Sequence, residues 1–270
     1  MKRRCIWIAL AVAIAAIDTA SGMNLSARLE FLPGWRHVDE TGEYHVAGIR
    51  MKLDDGWKTY WRVPGEGGIS PQVEIESSEN LSGVSLLFPS PKVFEQNGML
   101  IFGYEREVLF PLIIYPEIND TPIFFEANFY GGICEEVCIP VSFPFSASLP
   151  PHEKADDEIL NALDLVPKEW NASEGPAVEC AFEFSDFGLF AKARLPIPNS
   201  LGPDYVVFEY ADDWIRFGRS QVSRPKSSLL EASSAVYFGA RKDLQLTTSK
   251  LRITVLSQSE VVDIKGCGSS

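Results

Sequence analysis

Val141-Ser142-Phe143-Pro144-Phe145-Ser146-Ala147-Ser148-Leu149 alternates apolar and polar positions without a break. A period of two puts Val141, Phe143, Phe145, Ala147 and Leu149 on one face of a β-strand, with the serines on the other. Pro144 removes a ladder donor, so this strand is expected at a sheet edge or at a bulge.

Further strands are expected on the N-terminal side at His45–Leu53, which stops at the turn signal Asp54-Asp55-Gly56, and at 73–75, 84–88, 107–114 and 123–129. On the C-terminal side, Pro150-Pro151 opens a charged stretch through Asp157. A short helix is expected over Ile159–Leu165, ending at Pro167, and 171–176 is polar and turn-like. The second half is again strand-rich, at 177–184, 189–195, 206–210, 214–218, 235–240, 251–256 and 261–264. Ser185-Asp186-Phe187-Gly188 reads as a hairpin loop. The expectation is an all-β protein, a β-sandwich followed by a second, smaller sandwich-like domain. The expected boundaries are 23–150 for the first domain, 151–175 for a linker with a short helix, and 176–270 for the second.

The chain has 270 residues, enough for two domains, and 46% hydrophobic with 23% charged residues is globular composition. Lys2, Arg3 and Arg4 precede an unbroken apolar run from Ile6 to Ile17, with Ala20 and Gly22 placed for cleavage ahead of Met23. That order predicts a signal peptide over residues 1–22, cleaved near Gly22, and an exported, periplasmic protein. Loss of residues 1–22 takes the net charge from −13 to −15. Such acidity, with no basic patch, argues against nucleic acid as a partner.

Four cysteines remain after the leader: Cys134, Cys138, Cys180 and Cys267. An even count in an oxidising compartment suggests two disulfides. Three pairings are open, and spacing favours Cys134–Cys138 and Cys180–Cys267, one in each half. Gly131-Gly132-Ile133-Cys134-Glu135-Glu136-Val137-Cys138-Ile139-Pro140 precedes the alternating strand, so the first pair would face each other across a three-residue hairpin loop. A non-hydrogen-bonded antiparallel pair has Cα atoms about 4.5 Å apart, near one limit of what a disulfide accepts. A loop this short gains roughly 2 kcal/mol in the chain-entropy model, against about 4.6 for the long Cys180–Cys267 loop. The first bridge is therefore expected to be reducible, and the second a structural staple. Glu135 and Glu136 disfavour a thiolate, and the nearest sequence neighbours supply no Lys, Arg or His. A metal site would need ligands beyond two thiolates, from His37, His45, His152 or the methionines, and no metal or other cofactor is expected.

Two further segments stand out. Gly56-Trp57-Lys58-Thr59-Tyr60-Trp61-Arg62-Val63-Pro64-Gly65 runs into Glu66-Gly67-Gly68, and its tryptophans read as core. Phe88-Pro89-Ser90-Pro91-Lys92 leads through Gly98 to Phe102-Gly103-Tyr104-Glu105, read as a loop that lies over a neighbouring site.

Taken in order, these segments (G-W-K-T-Y-W-R-x-P-G, F-P-x-P-K, F-G-Y-E and C-E-E-V-C-I-P) resemble the N-terminal periplasmic domain of the DsbD family of thiol:disulfide interchange proteins, in particular its ScsB-like branch. The resemblance spans about residues 30–150 and continues more weakly to Cys267. It implies an immunoglobulin-like domain whose redox pair is Cys134 and Cys138, with Phe102, Gly103 and Tyr104 matching an aromatic cap loop. It implies electrons taken from a membrane-embedded thiol reductase and passed to periplasmic thioredoxin-like or disulfide isomerase proteins, in cytochrome c maturation or metal-stress defence. The activity implied is that of a protein-disulfide reductase, a thiol–disulfide oxidoreductase. The full family protein also carries a multi-helix membrane domain and a C-terminal thioredoxin-like domain. These 270 residues contain neither, so a separate membrane protein is expected to reduce the pair. The alternative expectation is a non-catalytic immunoglobulin-like binding module with two structural disulfides.

Overall fold

The computed structural model describes residues 26–152, 154–170, 176–197, 203–212, 214–225, 229–239, 245–258 and 260–269. The expected signal peptide lies outside them. The first half contains β1 (Ala27–Asp39), β2 (Gly42–Leu53), β3 (Lys58–Gly65), β4 (Gln72–Glu79), β5 (Gly83–Leu86), β6 (Lys92–Gln96), β7 (Met99–Glu105), β8 (Glu107–Tyr115), β9 (Ile123–Cys134) and β10 (Cys138–Leu149). One sheet runs β1-β2-β8-β5, and the other β10-β9-β3-β7-β6 with β4 also paired to β9. The two pack face to face as an immunoglobulin-like sandwich over Ile49, Met51, Trp61, Phe110, Leu112, Ile114, Phe129 and Ile133, all fully buried.

The alternating strand is β10, and it lies at the sheet edge. Val141 and Leu149 are buried and Phe143, Phe145 and Ala147 half-buried, while Ser142, Pro144, Ser146 and Ser148 are exposed. Pro140 and Pro144 pair with Gly132 and Asn128. A proline has no N–H to give β9, so these are non-hydrogen-bonded pairs, and both prolines turn their missing donors to the open edge. The Gly132 N–H points away from β10 accordingly, onto the Ile69 carbonyl at 3.0 Å. The open edge loses two donors and is a poorer template for stray pairing.

Helix α1 (Asp157–Asp164) follows, capped by Asp156, whose side chain accepts from the Glu158 and Ile159 N–H groups. Ile159 is fully buried with Leu32, Trp35 and Val46 on the outside of the first sheet. The second half contains β11 (Lys168–Glu169), β12 (Glu179–Ser185), β13 (Gly188–Leu195), β14 (Tyr205–Tyr210), β15 (Arg216–Phe217), β16 (Gln221–Ser223), β17 (Leu230–Tyr237), β18 (Leu251–Leu256), β19 (Val261–Lys265) and β20 (Gly268–Ser269). One sheet runs β11-β19-β18-β14, the other β15-β17-β13-β12-β20 with β16 on β17. This is the second, smaller sandwich.

The sheet β11-β19-β18-β14 has no solvated face at its centre. Val206, Phe208, Ile253, Val255, Val262 and Ile264 face its own sandwich. The alternate residues Tyr205, Val207, Leu256 and Val261 join the core of the first half. That explains why Tyr205-Val206-Val207-Phe208 is continuously apolar and not alternating. Arg62 crosses the same junction: its Nε lies 3.1 and 3.0 Å from the Glu209 carboxylate oxygens, and its Nη2 donates to Thr254 Oγ1 at 2.7 Å.

Candidate functional site

Cys134 ends β9, Cys138 begins β10, and the two are directly opposed in register. They are disulfide-bonded with Cα atoms 4.2 Å apart. The register makes this a non-hydrogen-bonded pair, the narrower kind. The two residues differ in access: Cys134 is 6% exposed, whereas Cys138 is an exposed residue beside Glu135, Glu136 and Val137, all exposed.

One face of the sheet carries the bridge. The pairings Lys58–Glu105, Lys58–Cys134 and Cys138–Cys134 line these four residues up across β7, β3, β9 and β10. Two residues further along β3, Tyr60 occupies the neighbouring row. Tyr60, Ile101 and Cys134 form a small buried cluster with Phe94 packed on it. Tyr60 Oη lies 2.8 Å from Cys138 Sγ. Burial raises the pKa of the Tyr60 hydroxyl, which keeps it a hydrogen-bond donor.

Two glycines make room for this ring. A Cβ on Gly68, at φ +114°, would fall 2.2 Å from Tyr60 Cε1, and one on Gly132 3.1 Å from Tyr60 Cε2. The Gly-rich turn and the Gly131-Gly132 pair thus form the slot that aims Tyr60 at the disulfide. The buried Thr59 hydroxyl donates to the Gly132 carbonyl at 2.9 Å, fixing β3 against β9. The next residue, Trp61, points the other way into the core, against Phe102.

The expected cap residues belong to a strand beside the site. Phe102, Gly103 and Tyr104 are inside β7, not in a loop. Phe102 packs on Trp61 and on Tyr205 of the second half. Tyr104 is 6% exposed and donates to the Pro89 carbonyl at 2.7 Å. A Cβ on Gly103 would lie 2.1 Å from the Thr59 carbonyl oxygen, so this glycine permits close strand approach and is not loop punctuation. The segment against the disulfide is the β6–β7 hairpin. Phe94 contacts the Tyr60–Cys134 cluster, and Gln96 Nε2 donates to the Glu135 carbonyl at 2.9 Å. In sequence, Val93-Phe94-Glu95-Gln96-Asn97-Gly98 carried the signal: a short β-rich run ended by an Asn-Gly turn.

Cys180 and Cys267 are also bonded, with Cα atoms 5.9 Å apart. Cys180 is buried in β12, so this bridge ties one sheet of the second sandwich to the strand that leaves the other. Among the described residues no group of three or more His, Cys, Asp or Glu side chains is arranged to hold a metal ion. His45 is buried in the first sheet, and His37 and His152 pair with Asp39 and Asp120, away from the cysteines. A cavity of about 520 Å³ lies between the halves, lined in part by Phe102, Tyr205, Phe217 and Arg219, and is lined by neither Cys134 nor Cys138. No described helix is long and apolar enough to cross a membrane.

Comparison with solved structures gives the N-terminal periplasmic domain of ScsB from Proteus mirabilis, at 22% identity and a TM-score of 0.65 over 91% of this chain and 95% of that one. The likeness covers both halves and establishes the shared fold. The reduced N-terminal domain of DsbD from Neisseria meningitidis matches at 16% identity and a TM-score of 0.28, over 41% of this chain and 82% of that one. No curated protein matches the sequence. Residues 28–150 match the family described as thiol:disulfide interchange protein DsbD, N-terminal.

Proposed function

We propose that this is an exported thiol–disulfide electron-transfer protein working through Cys134 and Cys138. It accepts electrons from a membrane-embedded thiol reductase and passes them to periplasmic disulfide proteins of the thioredoxin-like or isomerase type, in cytochrome c maturation or metal-stress defence. The observation that carries this reading is the asymmetry of the pair: an exposed Cys138 whose sulfur meets the Tyr60 hydroxyl, and a Cys134 that is 6% exposed. The match of residues 28–150 to the DsbD N-terminal family adds to it.

The exchange follows from that asymmetry. In the reduced protein the Cys138 thiolate attacks one sulfur of a partner's disulfide. The partner's S–S bond breaks, its second sulfur leaves as a thiolate and takes up a proton, and a mixed disulfide forms. Cys134 then gives up its proton, and its thiolate attacks Cys138 Sγ. The intramolecular bridge returns, and the partner's remaining thiolate is released. Two electrons and two protons pass from dithiol to disulfide. Phe102, Gly103 and Tyr104 support the site from within β7, and the hairpin that carries Phe94 and Gln96 acts as its cover. Cys180–Cys267 acts as the structural staple.

An equilibrium redox titration of the mature protein, with thiols trapped and located by mass spectrometry, tests the reading. The expected result is that Cys134–Cys138 opens above about −300 mV while Cys180–Cys267 stays closed. If both bridges resist reduction together, the chain is a disulfide-stapled binding module and not an electron carrier.

A further inference from the structure

The buried member of the pair has an electrostatic difficulty. Cys134 is 6% exposed, walled by Tyr60, Ile101 and Phe94. Burial disfavours a thiolate, and the carboxylates of Glu135 and Glu136 in the adjoining loop disfavour it further. Yet Cys134 must become a thiolate to release the partner.

Lys58 stands directly opposite Cys134 in the β3–β9 pairing, on the same sheet face. Directly opposed residues have Cβ atoms about 4.5–5.5 Å apart, well within the reach of a four-carbon stem. Lys58 Nζ lies 5.5 Å from the Phe94 ring centroid and 3.5 Å from the Gly56 carbonyl oxygen. Neither group neutralises it. Its other cross-strand neighbour, Glu105, is hydrogen-bonded by Lys92 and feels the Lys58 charge only at longer range, and among the described residues no carboxylate lies within ion-pair distance of Lys58.

We propose, on the redox reading above, that Lys58 supplies the positive charge that stabilises the Cys134 thiolate in the resolving step. The charge acts on the second attack more than the first, because Lys58 opposes Cys134 and not the exposed Cys138. The contact with Phe94 holds the lysine stem on the disulfide face.

The test uses the reduced full chain with one equivalent of dithiodipyridine, an uncharged aromatic disulfide. Attack by Cys138 releases one pyridinethione, and resolution by Cys134 releases the second. In Lys58→Met the first release is expected to stay unchanged and the second to slow about threefold or more: one pKa unit cuts the thiolate about tenfold, and the greater nucleophilicity of the more basic thiolate recovers about threefold. The mixed disulfide should then persist long enough for detection by mass spectrometry. Lys58→Arg keeps the charge and should restore the second release. An unchanged second release in Lys58→Met, or an equal slowing in Lys58→Arg, overturns the proposal. A reduced parent chain that releases no pyridinethione at all overturns the redox reading itself.

Discussion

The Tyr60 hydroxyl lies 2.8 Å from Cys138 Sγ, across 78 residues of chain. The slot between Gly68 and Gly132 holds the ring in that position. In the disulfide state the sulfur is a weak acceptor. In the reduced state the same hydroxyl would donate to a thiolate, and hydrogen bonds to charged groups are worth roughly 1.5–3 kcal/mol. Tyr60→Phe keeps the ring and removes the donor. It should make the pair harder to reduce, with a potential lower by about 30 mV near the usual thiol pKa of about 8.5. Gly68→Ala, which drives a methyl into the ring at a positive φ, should reproduce that shift and also cost about 1–3 kcal/mol of stability. Titration against glutathione buffers reads the potential, and an unchanged potential in both variants reduces the contact to packing.

Much of this was legible in the sequence, for identifiable reasons. The strand at 141–149 alternates because one face is solvated, and its prolines mark the edge where it lies. The β3 strand was harder to read. Its residues Thr59, Tyr60 and Trp61 are all buried, because one face meets the core and the other the disulfide cluster, so no period of two appears. In sequence the β6–β7 hairpin reads as a loop through Gly103, a glycine that the close approach to Thr59 requires instead. Lys58 was invisible beside the cysteines because 76 positions separate it from Cys134, and only strand register brings them together.

The two disulfides should contribute unequally to stability. Cys180–Cys267 closes a separation of 87 residues and Cys134–Cys138 one of 4. The chain-entropy model gives about 4.6 and roughly 2 kcal/mol respectively. Denaturant unfolding of Cys180→Ser with Cys267→Ser should show the larger loss, and Cys134→Ser with Cys138→Ser the smaller. A reversed order would make the short hairpin bridge the staple.

His45 predicts an acid sensitivity. It is fully buried, and burial lowers its pKa to about 4 from 6.5. Its Nε2 is 2.6 Å from the Pro33 carbonyl oxygen and its Nδ1 3.5 Å from Arg36 Nε, which assigns the proton to Nε2. The unfolded chain takes up a proton at this histidine near pH 6.5, and the folded one only near 4. Stability from neutral His45 is therefore complete above about pH 6.5 and falls as pH drops towards 4. His45→Gln retains a donor for Pro33 but cannot charge. It should flatten the stability profile in that window, measured by denaturant midpoints. An identical pH slope in the variant would refute the assignment.

Arg62 should decide whether the two halves unfold together. Its side chain is 11% exposed and pairs with Glu209 at 3.0 Å and Asp263 at 3.2 Å, with the guanidinium 3.9 Å over the Trp61 ring. Asp263 keeps its hydrogen bonds from Arg252 if Arg62 is removed, but Glu209, at 19% side-chain exposure, loses the arginine that both its oxygens contact and keeps only the longer-range charge of Arg252, its cross-strand neighbour. Breaking a buried pair costs about 3 kcal/mol or more, most of it from the stranded charge. Arg62→Met should therefore destabilise by about that much and split the unfolding curve into two transitions, because the junction that couples the sandwiches is lost. Adding Glu209→Gln removes the stranded carboxylate and should recover part of the loss. If the double variant is as unstable as the single one, the ion pair is not what holds the halves together, and the apolar contacts of Tyr205, Val207, Leu256 and Val261 carry the junction instead.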